Sequence, residues 1–311
     1  MRKRTMLKVI KWIGFFFLLL IFGIGFGTVF RQNLKYEAPY PEVKASQDPR
    51  VISRGERLAY GAAHCADCHL AESATSNSRP SLSGGKKFFL PVGTFYSPNI
   101  TPDHETGIGR FSDAEIARAL RYGVHPDHTV VFDFMPFHNT SDEDLTAIIS
   151  FLRSLKPIKN QVASHELNLI GKVLKAFVVK PVGPKGEVLK SIEADESIAY
   201  GEYLANSVAN CSGCHTKRNI IGEYIGEPFA GGAPMVDPDP TKEVLTPPNL
   251  TPHSEGRITN WTEKQFLARF RQGKSISHSH MPWDSYANMN DSELKAIFRF
   301  LKSLKPAKNE S

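Results

Sequence analysis

Two five-residue runs, Cys65-Ala66-Asp67-Cys68-His69 and Cys211-Ser212-Gly213-Cys214-His215, use all four cysteines of the 311-residue chain. Two thiols one helical turn apart, with an imidazole directly after them, suit the bonding of one haem. The thiols take its two vinyl groups and the histidine turns to the iron as proximal ligand. Three other chemistries use similar residues. A structural zinc site takes four ligands per metal, and each run supplies three. A thioredoxin-type C-x-x-C sits in a βαβ context, which neither run has. A disulfide would leave both histidines unexplained. The doubled pattern points to two covalently attached c-type haems, one on Cys65, Cys68 and His69 and one on Cys211, Cys214 and His215.

The doubling extends well beyond these runs, and it marks a second ligand for each iron. Placing Cys65 over Cys211 also aligns Gly55 with Gly201, Glu56 with Glu202, Leu58 with Leu204 and Ala63 with Ala209. Pro98-Asn99-Ile100-Thr101-Pro102 matches Pro248-Asn249-Leu250-Thr251-Pro252, Phe111 matches Trp261, and Gly123 matches Gly273. Of the six methionines, Met135 and Met281 fall at equivalent places, each followed by proline. A proline restricts the loop that presents a thioether. Met135 and Met281 are therefore the expected sixth ligands. Met235 and Met289 have no such counterpart and read as core or surface. His138, His278 and His280 lie nearby but do not align between the repeats, and His125 and His128 read as residues of a solvated loop. Iron held by His and Met has no open coordination position, and the Met ligand raises the reduction potential. Both properties suit an electron relay. The rival is a di-haem peroxidase-type enzyme, which needs one displaceable distal ligand, and two matching Met-Pro pairs argue against it. A sensor is a third class, but no signalling domain follows the haem units.

Helices must hold these groups in place. Each C-x-x-C-H follows a short helix, and each repeat closes on an amphipathic one. Leu145, Ile148, Ile149, Leu152 and Leu155 recur as Leu294, Ile297, Phe298, Leu301 and Leu304, the stripe of a helix with one buried face. Ser141 with Asp144, and Asn290 with Glu293, read as N-caps followed by an acid. Lys156-Pro157 and Lys305-Pro306 read as stops. Between the repeats, Leu167, Ile170, Leu174 and Phe177 have helical spacing. That connecting helix is expected to pack across the junction of the units, with simple cover for one unit as the alternative.

The formal net charge is +6, but it is unevenly spread. Residues 1–30 hold Arg2, Lys3, Arg4, Lys8 and Lys11 and no acid, while the remaining 281 residues carry 33 basic and 32 acidic side chains. A body so nearly neutral gives no reason to expect nucleic acid as a partner. Trp12 to Phe30 is uncharged over 19 residues, roughly 28 Å as a helix and close to the hydrocarbon thickness of a bilayer. It is longer than the apolar core of a cleaved signal peptide and lacks an A-x-A-like site. An uncleaved anchor is expected, with Arg2–Lys11 in the cytoplasm and the body across the membrane.

The run Gly84-Gly85-Lys86-Lys87-Phe88, then Ser97 to Asp103, Thr106-Gly107-Ile108-Gly109 and Met135-Pro136, resembles the cytochrome c subunits of bacterial membrane-bound dehydrogenases. The likeness covers nearly all of residues 50–306. Many of those subunits carry three C-x-x-C-H motifs; this chain has two. The resemblance implies partners such as an alcohol, gluconate, aldehyde or nicotinate dehydrogenase, with electrons passed on to a terminal oxidase or soluble cytochrome. It also places Asn99, Thr101, Asn249 and Thr251 in a loop near the haem; a turn held by Asn and Pro side chains is the alternative. The expected architecture is all-α: a basic stub and transmembrane anchor (1–30), a spacer (31–50), a first cytochrome c domain (51–157), a connection (158–190) and a second domain (191–306). The expected location is the bacterial inner membrane, crossed once, with the body on the periplasmic side.

Overall fold

The computed structural model describes residues 2–71, 81–135, 137–219, 222–235, 244–276 and 278–309. The uncharged N-terminal stretch lies within one continuous helix, α1 (Arg2–Arg31), with its apolar side chains facing outward. Thr5–Arg31 is long and apolar enough to cross a bilayer, with a mean hydropathy of 2.4 over its most apolar 18 residues.

Each repeat is a frame of two crossed helices with the C-x-x-C-H turn beside it. In the first unit α2 (Pro49–Tyr60) crosses α5 (Asp142–Ser154), with α3 (Cys65–His69) and α4 (Asp113–Tyr122) flanking. In the second, α7 (Ile198–Tyr203) runs on as a π-helical turn (Leu204–Val208) and crosses α11 (Asp291–Ser303), with α8 (Cys211–His215), α9 (Glu263–Arg271) and the short α10 (Trp283–Tyr286) around it. The aligned glycines lie at these crossings. A Cβ on Gly55 would stand 1.8 Å from the Ala147 carbonyl oxygen, and one on Gly201 1.9 Å from that of Ala296. Only glycine lets the helices approach so closely. The predicted apolar stripes are the buried faces of α5 and α11. Their N-caps form as expected: Asn290 and Glu293 make a full reciprocal box, and Ser141 accepts from the Asp144 amide.

The two units share one apolar core that includes Leu58 and Ile148 from the first and Leu204 and Ile297 from the second. They touch reciprocally. Tyr203 donates to Asp144 Oδ2 at 2.7 Å, and in the mirrored position Arg57 acts electrostatically on Glu293. Ser207 accepts through its carbonyl from Thr140 Oγ1 at 2.9 Å, while its counterpart Gly61 lies against Met289, 3.7 Å from a Cβ to Cγ. The Asp144 carboxylate also receives Arg54 Nε at 2.5 Å, so this buried acid is paired on both oxygens. A paired charge is what the low-dielectric interior tolerates.

Two features depart from the all-helical expectation. Lys87–Leu90 (β1), Gly93–Tyr96 (β2) and Glu166–Leu167 (β3) form a three-stranded antiparallel sheet, in register Leu90↔Gly93↔Leu167. The run Lys-Phe-Phe-Leu, two turn residues and Gly-Thr-Phe-Tyr is aromatic and β-favouring, and buried Phe95 pins it edge-on to Phe132 and Phe134. The connecting helix α6 (Leu169–Phe177) packs against α1 and this hairpin, and does not lie across the junction of the units. Residues 34–48 are extended and run along the first unit. Val43 is buried against Ile116, Ala117, Leu145 and Ile149, the Ala45 amide donates to Asp113, and the Arg118 guanidinium lies over the Tyr40 ring at 4.2 Å.

Candidate haem-binding sites

Each C-x-x-C-H run is a single helical turn entered through a left-handed residue, His64 (φ 38°) or Asn210 (φ 49°). Sharp entry turns the cysteines away from the preceding helix. Asn adopts this region more readily than most residues, and His64 is held in it by a bond from its ring Nδ1 to the Ala62 carbonyl at 3.1 Å.

The two histidines make matching hydrogen bonds. His69 Nδ1 donates to the Pro98 carbonyl at 2.8 Å, and His215 Nδ1 donates to the Pro248 carbonyl at 2.8 Å. That bond fixes the tautomer and leaves the Nε2 lone pair for a metal. Burial holds both imidazoles below the ordinary histidine pKa, against the opposing pull of the carbonyl, so the neutral ligating form dominates. Burial also pushes the Cys65 and Cys211 thiols up to about 12.

The Pro-Asn-x-Thr loops explain why those carbonyls stay in place. Asn99 Oδ1 accepts from the Thr101 amide at 3.0 Å and its hydroxyl at 2.7 Å, and Asn99 Nδ2 donates to the Ile158 carbonyl at 2.8 Å. Asn249 repeats the set with Thr251 at 2.8 and 2.7 Å and with the Ala307 carbonyl at 2.7 Å. The loop is therefore a turn locked by its own Asn, and it also carries the histidine's partner. The turn held by its Asn side chain is what forms. Behind it, the Gly84 and Gly231 amides donate to the His69 and His215 carbonyls at 2.9 Å each, from backbone at positive φ.

Met135 and Met281 sit on matching turns. The Phe137 amide donates to the Met135 carbonyl at 2.9 Å, and the Trp283 amide to the Met281 carbonyl at 2.8 Å. Pro282 has φ −76° and ψ 65°, an inverse γ-turn whose φ the proline ring presets. Pro136 lies outside the described residues. Both methionines pack on the apolar core that also receives Cys65 and Cys211. Among the nearby histidines, His138 has both ring nitrogens committed, to the Arg121 carbonyl and to Asp133, each at 2.9 Å. Met289 is buried in the core, one of the two places its lack of a counterpart left open.

These residues fit a covalently attached haem. Two thiols stand one turn apart, the imidazole is oriented and neutral, and a thioether is presented on a rigid turn. Among the described residues, no three His, Cys, Asp or Glu side chains converge as a zinc ion would require. Sequence reasoning missed Tyr203 and Tyr286. Tyr203 is described above; Tyr286 packs edge-on to His64 at 5.6 Å and donates to the Ala209 carbonyl at 2.5 Å. It thereby ties the entry to the first C-x-x-C-H to the entry to the second. No repeat signal marks it.

A family model described as cytochrome c matches residues 52–156 and again 198–305. Among curated proteins, the chain is 31% identical over 282 residues to the alcohol dehydrogenase (quinone) cytochrome c subunit of Gluconobacter oxydans, covering 83% of this chain and 55% of that protein. It is 30% identical over 277 residues to a nicotinate dehydrogenase subunit of Pseudomonas putida, covering 85% and 22%. A diheme cytochrome c-type protein of Cereibacter sphaeroides is 30% identical over 220 residues, with 69% and 73% covered. The chain spans about half the length of the first of these relatives and less of the second.

Proposed function

Because this chain belongs to the cytochrome c family, we propose that it is a membrane-anchored di-haem electron carrier. It takes electrons from a dehydrogenase or quinol-oxidising partner and passes them to a terminal oxidase or soluble cytochrome. Cys65, Cys68 and His69 hold one haem with Met135, and Cys211, Cys214 and His215 hold the other with Met281. Haem bound in this way supplies reversible one-electron chemistry at iron. The protein's part is to orient each imidazole through the Pro98 and Pro248 carbonyls, keep it neutral by burial, and present a thioether on a fixed turn. The observation that carries the reading is that the two histidines make the same bond to a proline carbonyl, each on a loop locked by its own Asn. A peroxidase would be expected to differ between its two sites. The dehydrogenase partner is supported by the names of the relatives. The anchor is supported by the length and hydropathy of α1, and the periplasmic placement of the body by the basic residues before it.

The test is the absorption spectrum of the oxidised, full-length protein together with its mass. Two haems per chain are expected, with a thioether-to-iron charge-transfer band that halves in Met135→Ala, halves in Met281→Ala and vanishes in the double variant. One high-spin haem with rapid peroxide turnover would overturn the relay.

A further inference from the structure

The connecting helix α6 bears an apolar face that none of the described residues covers. Leu169 is 74% exposed and Ile170 63%, and Val178, just past the end of the helix, is also exposed. The tip of the β1–β2 hairpin continues the patch with Phe89, 63% exposed, and Leu90. These are not scattered singletons, because the sheet register puts Leu90, Gly93 and Leu167 in one row and α6 begins two residues after it. The two pieces are locked together. Asn168 caps α6 by accepting from the Gly171 amide at 2.9 Å and donates to the Pro91 carbonyl at 2.8 Å. A Cβ on Gly171 would stand 2.0 Å from the Val92 carbonyl oxygen.

The other side of α6 is seated on the end of α1. Arg31 Nε donates to the Ala176 carbonyl at 3.3 Å and its guanidinium lies 5.5 Å from the Phe177 ring centre. A Cβ on Gly27 would meet Phe177 Cζ at 2.9 Å, and Thr28 is buried beneath the contact. The C-terminal end of α6 thus stands at the level where the spanning helix ends, and the uncovered face runs on from that contact toward Leu169 and Ile170. Lys172, Lys175 and Lys180 punctuate the segment, with Lys87 on the hairpin, against Glu166 as the acid on β3. An apolar face rimmed by lysines at that depth matches the boundary between acyl chains and phosphate headgroups.

We propose that α6 and the β1–β2 hairpin tip form a foot that rests in the lipid headgroup layer of the membrane crossed by α1, fixing the height and tilt of the haem units above it. The proposal rests on the reading that α1 spans the membrane. Continuity with that helix selects lipid as the occupant over a partner protein or a second copy.

The full-length, haem-loaded protein is placed singly in nanodiscs of phosphatidylcholine and phosphatidylglycerol, with both haems reduced. Spin labels are attached in separate variants at Ile170→Cys on α6, Lys264→Cys on the second unit and Leu18→Cys in mid-α1. Their collision rates with oxygen, which concentrates in lipid, and with a water-soluble nickel chelate give depth. The Ile170 label is expected to show an oxygen-to-nickel ratio at least about fivefold above that of Lys264 and below that of Leu18, as an interfacial helix requires. Adding Leu169→Glu and Phe89→Glu should return it to the Lys264 value. A lipid-buried Leu18 label with an aqueous Ile170 label overturns the foot and leaves the anchor standing. An aqueous Leu18 label overturns the anchor, and the foot with it.

Discussion

The helix crossings offer a decisive test, because two known effects oppose each other there. In an open helix position, Gly→Ala stabilises by about 1 kcal/mol through helix propensity. At Gly55 the added methyl would lie 1.8 Å from the Ala147 carbonyl oxygen, about 1.6 Å short of an ordinary contact. That oxygen belongs to the backbone of α5 and cannot swing aside, so α2 and α5 must separate. Overpacking of this kind costs about 1–3 kcal/mol, and an immovable backbone neighbour puts it at the upper end. The crossing also buries Leu58, Ile148, Phe151 and Leu152, which lose contact as the helices part. The net effect expected of Gly55→Ala is therefore a loss of about 2 kcal/mol, or a fall in Tm of about 4–8 °C for a body of this size. Gly201→Ala should cost the same, since Ala296 stands at 1.9 Å. Urea titration of the haem-loaded protein, followed by far-ultraviolet circular dichroism, measures both. An unchanged or raised midpoint in either variant, at constant m, would refute the argument that contact outweighs propensity there.

Asn99→Ala removes the acceptor of the Thr101 amide and hydroxyl and the donor to Ile158; a stability loss of about 2–4 kcal/mol is expected, with the first haem's potential moving more than the second's in a potentiometric titration. Tyr203→Phe leaves the buried Asp144 carboxylate with one partner fewer and should cost about 1–3 kcal/mol by the same denaturation assay. Burial raises the Glu293 carboxyl above its ordinary 4.5, against the lowering pull of the Asn290 amide and Arg57. A raised folded-state value means that folding takes up a proton, so this contribution is full below pH 4.5 and is lost as pH climbs through the raised value. Glu293→Gln keeps the cap and should gain on the wild type between about pH 4.5 and 7, converging with it in acid; a gap that widens in acid would contradict the sign.

The site was legible largely because it is repeated. Duplicated spacing marked the C-x-x-C-H turns, the Pro-Asn-x-Thr loops and the Met-Pro turns, and duplicated periodicity marked α5 and α11 with their caps. What the repeat does not encode stayed hidden. The purpose of Pro98 and Pro248 lies in their carbonyls, which no side-chain pattern records. Tyr203 and Arg57 occupy the same place with different chemistry, so alignment alone passes over them. The sheet escaped because β1 and β2 hold only four residues each and β3 two, too short for a period to stand out. The position of α6 escaped for another reason. Its helical spacing predicted a helix with one apolar stripe, but a stripe does not name the surface it seeks, and here one flank takes α1 while the other is left open.

The reciprocal contact between the units carries an evolutionary consequence. When two copies of one surface meet so that each residue faces its counterpart's partner, the arrangement is that of a two-fold symmetric homodimer. Here both copies lie in a single chain. In a homodimer, every mutation enters the interface twice, and any benefit to one side is imposed on the other. Fusion lifts that constraint, and the junction shows it: Tyr203 faces Asp144 where Arg57 faces Glu293, and Ser207 meets Thr140 where Gly61 meets Met289. Each half has been free to tune its own surroundings, so two sites built from one template can come to differ in driving force while remaining locked at a constant separation.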